Sequence, residues 1–356
     1  PAAALAEPAF DGREIALTHA SRQIMRTLGL WERIDPAQVS PLRSAKVMNG
    51  ASPFALGFAA GNEDADPLGW LVPNHLIRRA AWEAVQGQAG LELVDGARVT
   101  AIETGEAANT VVLDDGRRLS ARLVVAADSR FSATRRMMGI GAQMRDFGKS
   151  MLVCRLAHEQ PHQHTAWEWF GYGRTLAMLP LPGDQCSAVI TLPPQGIQEL
   201  MAMDDAAFGE AVTGFFEQRL GRMRPVGTRH AYPLVGVYAH RFAGHRYALA
   251  GDAAVGMHPV TAHGFNFGLQ SQQRLVKEVA AARGGDIGAS AVLARYERAH
   301  RLATRPLYEA TNAIAALYND SRLPARLLRG AALRAAHGVA PFRKMIAAHL
   351  TQRAAG

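Results

Sequence analysis

The sequence has little cysteine, no long apolar run and no recognisable signal peptide. Cys154 and Cys186 are its only two cysteines, and their spacing fits neither a metal site nor a CxxC redox pair. Both lie in apolar, strand-like contexts, which predicts core thiols in a reducing cytoplasm. No apolar stretch approaches the roughly 18–20 residues that span a membrane. These absences predict a globular cytoplasmic protein and argue against a disulfide scaffold or a membrane-spanning chain.

Familiar catalytic constellations are also missing, because no nucleophilic triad or carboxylate pair stands out. His162 and His164 form a single H-x-H in a polar loop, which is too weak a signal for a metal site. We therefore predict no metal and interpret these histidines as surface residues. The net charge is +8, but no nucleic-acid-binding motif accompanies it, so we predict no nucleic-acid partner.

Positive charge is concentrated at residues 320–356, where seven basic residues face one acid, Asp320. Apolar residues such as Leu327 and Ile346 lie among them. This mixture suits contact with a membrane surface. The alternative is a pair of docked helices with a solvated basic face. The basic residues are Arg322, Arg326, Arg329, Arg334, Arg343, Lys344 and Arg353.

The most informative segment runs from Gly251 to Gly268. It follows Arg246–Ala250, an apolar run that predicts a short buried strand, and it leads into a helix that ends before Gly284. An acid at a strand end, Asp252, followed by a helix N-terminus suits a charged or electron-accepting ligand, because free N–H groups point towards it. The predicted inward positions of the helix are Phe265, Leu269, Val276, Val279 and Ala280.

A second predicted strand also ends in an acid. Leu123–Ala127 is typical of a buried parallel strand, Asp128 follows it, and a helix continues through Arg135–Met137. Two such strand ends beside helix starts predict an α/β fold with a doubly wound nucleotide-binding sheet.

Residues 150–240 have a different pattern, which predicts an antiparallel sheet interrupted by a helix near Asp205–Leu220. Residues 1–18 are predicted to be irregular, and the chain is predicted to be helical again from about Ala289. The predicted strands of the sheet are Met151–Leu156, Thr165–Phe170, Thr175–Leu179 and Ala188–Leu192. Other predicted elements are helices at Ser21–Leu28 and His75–Gln86 and a hairpin that turns at Asp115-Gly116.

Together these motifs resemble the flavin-dependent aromatic hydroxylases of the para-hydroxybenzoate hydroxylase fold. They are most similar to the ubiquinone-biosynthesis hydroxylases (the UbiH/UbiF/UbiI/UbiM group), and the Gly251–Gly268 block is most similar to the UbiM members. The resemblance covers almost the whole chain. Its other motifs are Asp11–Arg13, Ala16–Ser21, Val72–Arg78, Val124–Asp128 and Tyr296–Arg298.

The resemblance implies a Rossmann-like FAD-binding domain at 1–40, 70–148 and 241–288. It implies an inserted β-sheet substrate domain at 41–69 and 149–240, and a C-terminal helical region at 289–356. The family begins with a strand, a G-x-G-x-x-G turn and a helix that this sequence lacks, since Gly139-Ile140-Gly141 does not qualify. We therefore expect that roughly 35 residues precede Pro1 in the complete protein.

The resemblance also implies the reaction: hydroxylation of an electron-rich ring with FAD, O₂ and NAD(P)H. The substrate would be a polyprenylated phenol or quinone precursor in ubiquinone biosynthesis. Contact of residues 320–356 with the inner face of the membrane, and membership of a quinone-biosynthesis complex, are further expectations. The alternatives are a hydroxylase of a small soluble aromatic compound and a non-catalytic scaffold. A flavin halogenase is disfavoured because Phe170-Gly171 follows Trp167-Glu168-Trp169, which we interpret as a core or pocket-lining strand.

Four cofactor contacts outside the main block follow from the resemblance. Arg13 is expected at the pyrophosphate, or otherwise in a surface ion pair. Asn74 is expected at the ribityl chain, with a helix N-cap as the alternative. Val99 would offer backbone hydrogen bonds to adenine, and Asp128 would lie near the phosphoribityl part. Ser129 replaces the glycine that the family carries after this acid, where it either narrows the nicotinamide path or caps the next helix.

The main block supplies the flavin-ring contacts. Gly251 and Asp252 are expected at the ribityl–pyrophosphate region, where the carboxylate would accept hydrogen bonds. Backbone N–H groups at the helix start would face the flavin ring and stabilise negative charge on it. These residues are Gly264, Phe265 and Asn266.

The loop between these contacts holds three candidate catalytic residues. Pro259 would fix the loop beside the ring. His258 is a candidate base, although a packed or hydrogen-bonded loop histidine is the simpler interpretation. His263 is expected on the flavin side or at the substrate entry, or else as part of the loop structure.

Overall fold

The computed structural model describes residues 2–50, 52, 54–59, 66–171, 173–320, 322, 325 and 329. These residues form two compact units. Unit 1 comprises residues 2, 89–147 and 235–315, and unit 2 comprises the described residues of 3–88, 148–234 and 316–329. The assignment of separate cofactor and substrate domains stays a prediction.

The described residues include eight α-helices, several of which begin at a side-chain cap. Thr18 caps the second helix and Asp204 caps the sixth, each by accepting a backbone N–H. The helices are α1 Ala2–Ala6, α2 His19–Thr27, α3 Asn74–Val85, α4 Ala133–Met137, α5 Pro194–Ala202, α6 Asp205–Phe215, α7 Gly264–Ala281 and α8 Ser290–Asn319.

The strands come mostly in consecutive runs between these helices. They are β1 Glu14–Leu17, β2 Ser40–Leu42, β3 Ser44–Asn49, β4 Ala55–Ala59, β5 Gly69–Pro73, β6 Val99–Glu103, β7 Asn109–Leu113, β8 Arg118–Ala121, β9 Val124–Ala126, β10 Ala142–His158, β11 Thr165–Phe170, β12 Thr175–Pro180, β13 Gln185–Leu192, β14 Met223–Pro225, β15 His230–Ala239, β16 Ala243–Gly244, β17 Tyr247–Leu249 and β18 Val255–Gly256.

Unit 1 is built around the two acid-ended strands. β9 and β17 pair in parallel, with Val124 opposite Tyr247, so the predicted parallel pairing is confirmed. The prediction that the β9 strand is buried is only half right, because Val125 is 43% exposed while Val124 and Ala126 lie in the core. A strand with cover on one face alternates in this way. β6, β7 and β8 form a separate antiparallel sheet with the predicted turn at Gly116.

Helix α7 confirms the predicted helix after Gly264, but two of the predicted inward residues, Val276 and Ala280, are exposed. Val276 is 64% exposed, whereas Phe267 and Leu275 are buried in the unit 1 core. The buried face therefore follows positions 267, 271 and 275, which are four residues apart. The helix ends at Ala281 with Ala282 as its C-cap, and Gly284 shortly after it adopts a left-handed φ of 93°.

Unit 2 contains a larger sheet in the order β10-β13-β12-β11-β3-β4, and β14 also pairs with β10. The four predicted strands are confirmed. The sheet is mixed rather than antiparallel, because β3 arrives from a distant part of the chain and runs parallel to β11. Helices α5 and α6 pack on one face through residues such as Ile197 and Phe208. Helix α5 was not predicted from the sequence.

The N-terminal part of unit 2 is more regular than predicted. Residues 1–18 were expected to be irregular, yet helix α1 and strand β1 lie there. β1 pairs with β5, with Ile15 opposite Val72, so its backbone polar groups are satisfied in a small sheet with β2. The pairing partner lies far along the chain, which explains why local sequence did not reveal the strand.

Both cysteines are free and buried, as predicted. They lie in the core beneath α5 and α6, and burial raises the pKa of the Cys154 thiol to about 11. Such thiols are poor nucleophiles at neutral pH, so they contribute packing rather than chemistry.

The predicted basic segment lies outside the described residues except at Arg322, Ala325 and Arg329. Arg329 is fully buried, which corrects its predicted place on a solvated face. It donates to the carbonyl oxygens of Leu317 and Tyr318 at 2.9 and 2.8 Å and so caps the end of α8. Within the described ranges, no helix is long and apolar enough to cross a membrane.

Candidate functional site

Strand β17 of unit 1 delivers Gly251 and Asp252 to the start of α7. Gly251 adopts a left-handed φ of 61°, a conformation that favours glycine. Its N–H donates to Ser271 Oγ at 3.0 Å, and that hydroxyl donates to the Gly268 carbonyl at 2.6 Å. A Cβ on Gly268 would lie 3.6 Å from the Gly251 Cα, so the two glycines allow strand end and helix to approach closely.

Asp252 is paired with an arginine that the sequence analysis did not select. Arg130 Nη2 donates to Asp252 Oδ2 at 3.0 Å, and both side chains are about one-third exposed. Arg130 Nη1 also donates to the Val235 carbonyl at 3.0 Å. The guanidinium offsets the negative charge that would otherwise repel a phosphate at this strand end. Asp252 therefore retains one carboxylate oxygen to accept hydrogen bonds.

Asp128 acts as a brace for helix α4. Its carboxylate accepts hydrogen bonds from Ser132 Oγ at 2.5 Å and from the Thr134 N–H at 3.3 Å. Ser132 in turn caps α4 by accepting from the Arg135 N–H at 2.9 Å. Ser129, a candidate cap in the sequence, instead accepts from the Phe131 N–H.

The structure brings the two acid-ended segments of unit 1 together through buried Arg135. This side chain is 2% exposed, and its Nη1 donates to the carbonyl oxygens of Arg130 and Ala253 at 3.2 and 2.9 Å. One guanidinium thus joins the segment after β9 to the segment after β17. Because this contact joins residues more than a hundred positions apart, the sequence alone gives no signal of it.

The loop that contains His258, Pro259 and His263 is held by its own hydrogen bonds. His258 Nδ1 accepts from the Val260 N–H at 3.2 Å, and its ring meets Phe147 edge-on at 4.6 Å between centroids. Pro259 is exposed in a short 3₁₀ turn. His263 is buried and its Nδ1 contacts the Thr261 carbonyl. This agrees with the simpler interpretation of both histidines, and their catalytic roles stay predictions.

The N-terminus of α7 fits an anionic or electron-accepting ligand. His263 occupies the N-cap position without a side-chain hydrogen bond to the helix. No described atom lies within 4 Å of where a Cβ on Gly264 would stand, so the approach to the first turn is open. Phe265 is partly exposed, while Asn266 is buried and donates to the Ala262 carbonyl at 2.9 Å. These features fit the flavin ring of FAD, towards which the helix dipole is favourable.

Val99 lies at the start of β6 and is partly buried, opposite Leu113. The register shifts between Val99 and Ala101, so this strand carries an irregularity. The adenine contact through its backbone stays a prediction.

In unit 2, Arg13 and Asn74 converge on Asp11. Asp11 Oδ2 accepts from Arg13 Nη2 at 2.6 Å and from Asn74 Nδ2 at 2.7 Å. Burial alone would raise the pKa of Asp11, but these hydrogen bonds lower it overall. Tyr232 adds a hydrogen bond to the Asp11 carbonyl at 2.6 Å. Pro73 is the N-cap of α3, so the N-cap alternative for Asn74 is wrong, and Arg13 forms the ion pair that was its alternative.

A buried acid next to this cluster escaped the sequence analysis. The Glu14 side chain is fully buried and accepts from Arg155 at 2.9 Å and 2.7 Å. Burial raises the pKa of Glu14 to about 7, although Arg155 partly opposes the rise. Its other oxygen, Oε2, accepts no hydrogen bond from any described residue. The alternation of β1 does not distinguish this acid from a surface residue.

Burial settles the interpretation of two further sequence motifs, the His162/His164 pair and Trp167-Glu168-Trp169. His162 is buried rather than a surface residue, because its Nε2 bonds the Leu181 carbonyl at 2.8 Å. The described residues contain no group of three metal-ligating side chains. Trp169 is a core residue whose indole N–H donates to the Gly50 carbonyl at 2.8 Å, which supports the core-strand interpretation of its motif.

Comparison with known proteins agrees with this fold and its local geometry. A family model described as an FAD binding domain matches residues 5–311. PqsL of Pseudomonas aeruginosa, solved in complex with 2-aminobenzoylacetate, shares the fold with a TM-score of 0.74 at 23% identity. The match covers 89% of this chain and 88% of PqsL. The predicted α/β, flavin-binding type of fold is thereby confirmed.

Two curated relatives are closer in sequence. Ubiquinone hydroxylase UbiM of Neisseria meningitidis is 46% identical over 357 residues, which cover 99% of this chain and 77% of that protein. Ubiquinone hydroxylase UbiL of Rhodospirillum rubrum is 34% identical over 348 residues, covering 97% of this chain and 81% of that protein. The chain therefore belongs to the ubiquinone hydroxylase family of FAD-dependent monooxygenases, which use FAD and NAD(P)H.

Proposed function

We propose that this hydroxylase acts on a polyprenylated phenol or quinone precursor of ubiquinone. The observation that carries the proposal is the 46% identity to UbiM across 99% of the chain. UbiL and the 3-demethoxyubiquinol 3-hydroxylase of Escherichia coli are also relatives, and all three names refer to ubiquinone or a ubiquinol.

FAD, when bound, supplies the redox and oxygen chemistry of the reaction. The protein supplies binding and electrostatics. In unit 1, the N–H groups of Gly264, Phe265 and Asn266 would hold the flavin ring and stabilise negative charge on it. Pro259 would fix the loop next to the ring, with His258 and His263 on either side of that turn.

The rest of the cofactor would be held by polar groups that the structure already orients. Asp252, held in place by Arg130, would accept hydrogen bonds from the ribityl hydroxyls. Asp128 would lie near the phosphoribityl part. In unit 2, Asp11 orients Arg13 towards a pyrophosphate role and Asn74 towards the ribityl chain. Val99 would form hydrogen bonds with adenine through its backbone. Arg13 would exchange its ion pair with Asp11 for one with the pyrophosphate, which carries two negative charges in all.

We further propose peripheral membrane contact through residues 320–356, because their basic and apolar residues suit an anionic lipid surface. Membership of a quinone-biosynthesis complex is the accompanying proposal. A flotation assay with anionic vesicles tests the contact: deletion of residues 320–356 should abolish flotation. Equal flotation of both proteins would show that residues 320–356 do not make the contact, whereas no flotation of the wild type would contradict membrane contact and favour a small soluble substrate.

Genetic complementation tests the substrate class. The complete gene should restore ubiquinone in at least one strain that lacks a single quinone hydroxylase, with the accumulated intermediate identified by mass. The scaffold alternative predicts instead no bound FAD and no NAD(P)H oxidation. If the purified protein hydroxylates only small soluble phenols, the proposed substrate class is wrong.

A further inference from the structure

The large sheet of unit 2 has one face in the core and one that α5 and α6 leave uncovered. Alternation along the strands assigns Trp169, Leu176 and Ile190 to the core face. The opposite face, called the open face, is defined by Val47, Asn49, Glu168, Phe170, Ala177 and Val189.

Glu168 stands in the middle of the open face without a charged neighbour. The strand register places Val47 on one side of it and Ala177 on the other, with Val189 one strand further. It forms no hydrogen bond or ion pair with any residue that the structure describes. Burial raises the pKa of this carboxyl to about 8, and burial is the sole cause of the shift.

The charged groups on the same face are remote from Glu168. The adjacent strands β3 and β12 present apolar, amide and hydroxyl side chains to it. On β10, three strands away and thus about 14 Å distant, lie Lys149 and Arg155. Arg155 is engaged by Glu14, and Lys149 contacts the Gly173 carbonyl at 3.4 Å. The half-buried carboxyl of Glu168 therefore has no counter-ion among the described residues.

A second polar group on the open face also lacks a partner. Asn49 is 6% exposed, and its Oδ1 accepts no hydrogen bond from the described residues. Asn49 lies opposite Phe170, so it is diagonal to Glu168, roughly 8 Å away between Cα atoms. Phe170 stacks on Tyr318 with ring centroids 3.7 Å apart, which adds an aromatic wall.

The unsatisfied oxygen of Asn49 and the half-buried carboxyl of Glu168, which has no partner among the described residues, match a ligand with hydroxyl donors on an apolar body. Each acceptor costs free energy while it is unpaired, and a bound hydroxyl would remove that cost. A hydroxylated ring with a hydrocarbon tail has this chemistry. A sugar lacks the apolar body.

We propose that the open face binds the hydroxylated ring of the substrate, with Glu168 as the acceptor of its phenolic proton and Asn49 as acceptor for a second hydroxyl. This inference rests on the proposed function. In the proton transfer the phenol O–H bond breaks, a carboxyl O–H bond forms, and the negative charge moves to the phenolic oxygen. No electron is gained or lost. The phenolate is more electron-rich and is thus easier to hydroxylate; the proton returns to the product.

The first test measures binding, so it does not depend on turnover. The FAD-loaded complete protein is dialysed against 2-prenylphenol and, separately, its methyl ether, which lacks the donor. At pH 9, where Glu168 is ionised, the wild type should bind the phenol roughly tenfold more tightly, as expected for a hydrogen bond to a charged group. Glu168→Leu should remove this preference. Glu199→Gln, on exposed α5, is the matched control and should keep it.

The second test measures turnover and its pH dependence. Glu168→Gln should lower kcat with 2-prenylphenol by about 100-fold, the usual contribution of a general base, and should flatten the rise of kcat/KM between pH 7 and 9. Its FAD absorbance should match the wild type, and its melting temperature should be no lower. An unchanged rate and pH profile would overturn the proton-acceptor role.

The two tests separate the inference from the proposed function. If Glu168→Leu keeps the preference for phenol over methyl ether, the open face is not the ring-binding surface. If the preference behaves as stated but the wild type forms no hydroxylated product, the binding inference stands and the proposed function fails.

Discussion

The polar groups of unit 1 and those of the open face of unit 2 are organised in opposite ways. In unit 1, hydrogen bonds satisfy the polar groups after both acid-ended strands. Asp128 accepts from the Thr134 N–H, Asp252 accepts from Arg130, and Arg135 donates to the Ala253 carbonyl. On the open face, the Oδ1 of buried Asn49 accepts no hydrogen bond from a described residue, and half-buried Glu168 has no charged or hydrogen-bonding partner among them. A satisfied network fixes a scaffold, whereas an unsatisfied one leaves interactions for a ligand to complete. The contrast suggests a rigid cofactor cradle and a substrate surface that is completed by binding.

The largest expected effect comes from cutting the unit 1 network at Arg135. Arg135→Met should lower the free energy of unfolding by about 3 kcal/mol, because two buried carbonyl groups lose their donor. Arg136→Met, one residue further and exposed, is the control and should cost less than about 1 kcal/mol. Urea unfolding measures both. Equal costs would show that the network is not the scaffold described.

Two buried asparagines sharpen the comparison directly. Asn109 is satisfied: its Nδ2 donates to the carbonyls of His245 and Arg246, and its Oδ1 accepts from the Gly105 N–H. Asn109→Leu should therefore cost about 2 kcal/mol in unfolding free energy. Asn49→Leu should be neutral or slightly stabilising, because it removes an acceptor that has no partner. If both variants lose a similar amount of unfolding free energy, the distinction between a satisfied and an unsatisfied asparagine is wrong.

A smaller effect is expected at the partly exposed pair of Asp252 and Arg130. Asp252→Ala should weaken FAD binding by about tenfold, since one charge-assisted acceptor is lost and an arginine is left without its carboxylate. Glu103→Ala breaks the fully exposed pair with Arg118 and should leave FAD affinity unchanged. Fluorescence titration with FAD distinguishes them. Unchanged affinity in Asp252→Ala would argue against its predicted role.

The smallest expected effect is the pH dependence of stability from Glu168. The pKa of Glu168 is about 8 in the folded protein, against an ordinary value of 4.5. The stabilisation of the folded protein that comes from its protonated carboxyl is therefore complete below pH 4.5 and is lost as the pH rises through 8. Glu168→Gln should reduce the fall in unfolding free energy between pH 5 and 8 by about 1 kcal/mol, since partial exposure moderates the penalty. Glu199→Gln should leave the fall unchanged.

The sequence predicted features that are local and periodic. Asp128 and Asp252 at the ends of apolar runs revealed the parallel strand pair, and the start of α7 followed from the glycine-bounded segment. Features that depend on distant partners were missed. Arg130 and Arg135 can bind the segment after β17 only because β9 pairs with β17. Strand β1 forms only because it pairs with β5.

The open face illustrates the same limit within a recognised motif. The sequence predicts a core or pocket-lining strand at Trp167-Glu168-Trp169, but the isolation of Glu168 depends on which strands flank β11. The parallel neighbour β3 comes from more than a hundred residues earlier in the chain. Burial of His162 and exposure of Val276 likewise depend on tertiary contacts that override local pattern.

The account is tested most directly by product analysis of the complete, FAD-loaded protein with NAD(P)H, O₂ and a polyprenylated phenol. Mass spectrometry should find a product that has gained one oxygen atom, labelled when ¹⁸O₂ is supplied, in the wild type and in Glu199→Gln but strongly reduced in Glu168→Gln. NAD(P)H oxidation without any oxygenated product in the wild type would contradict the account.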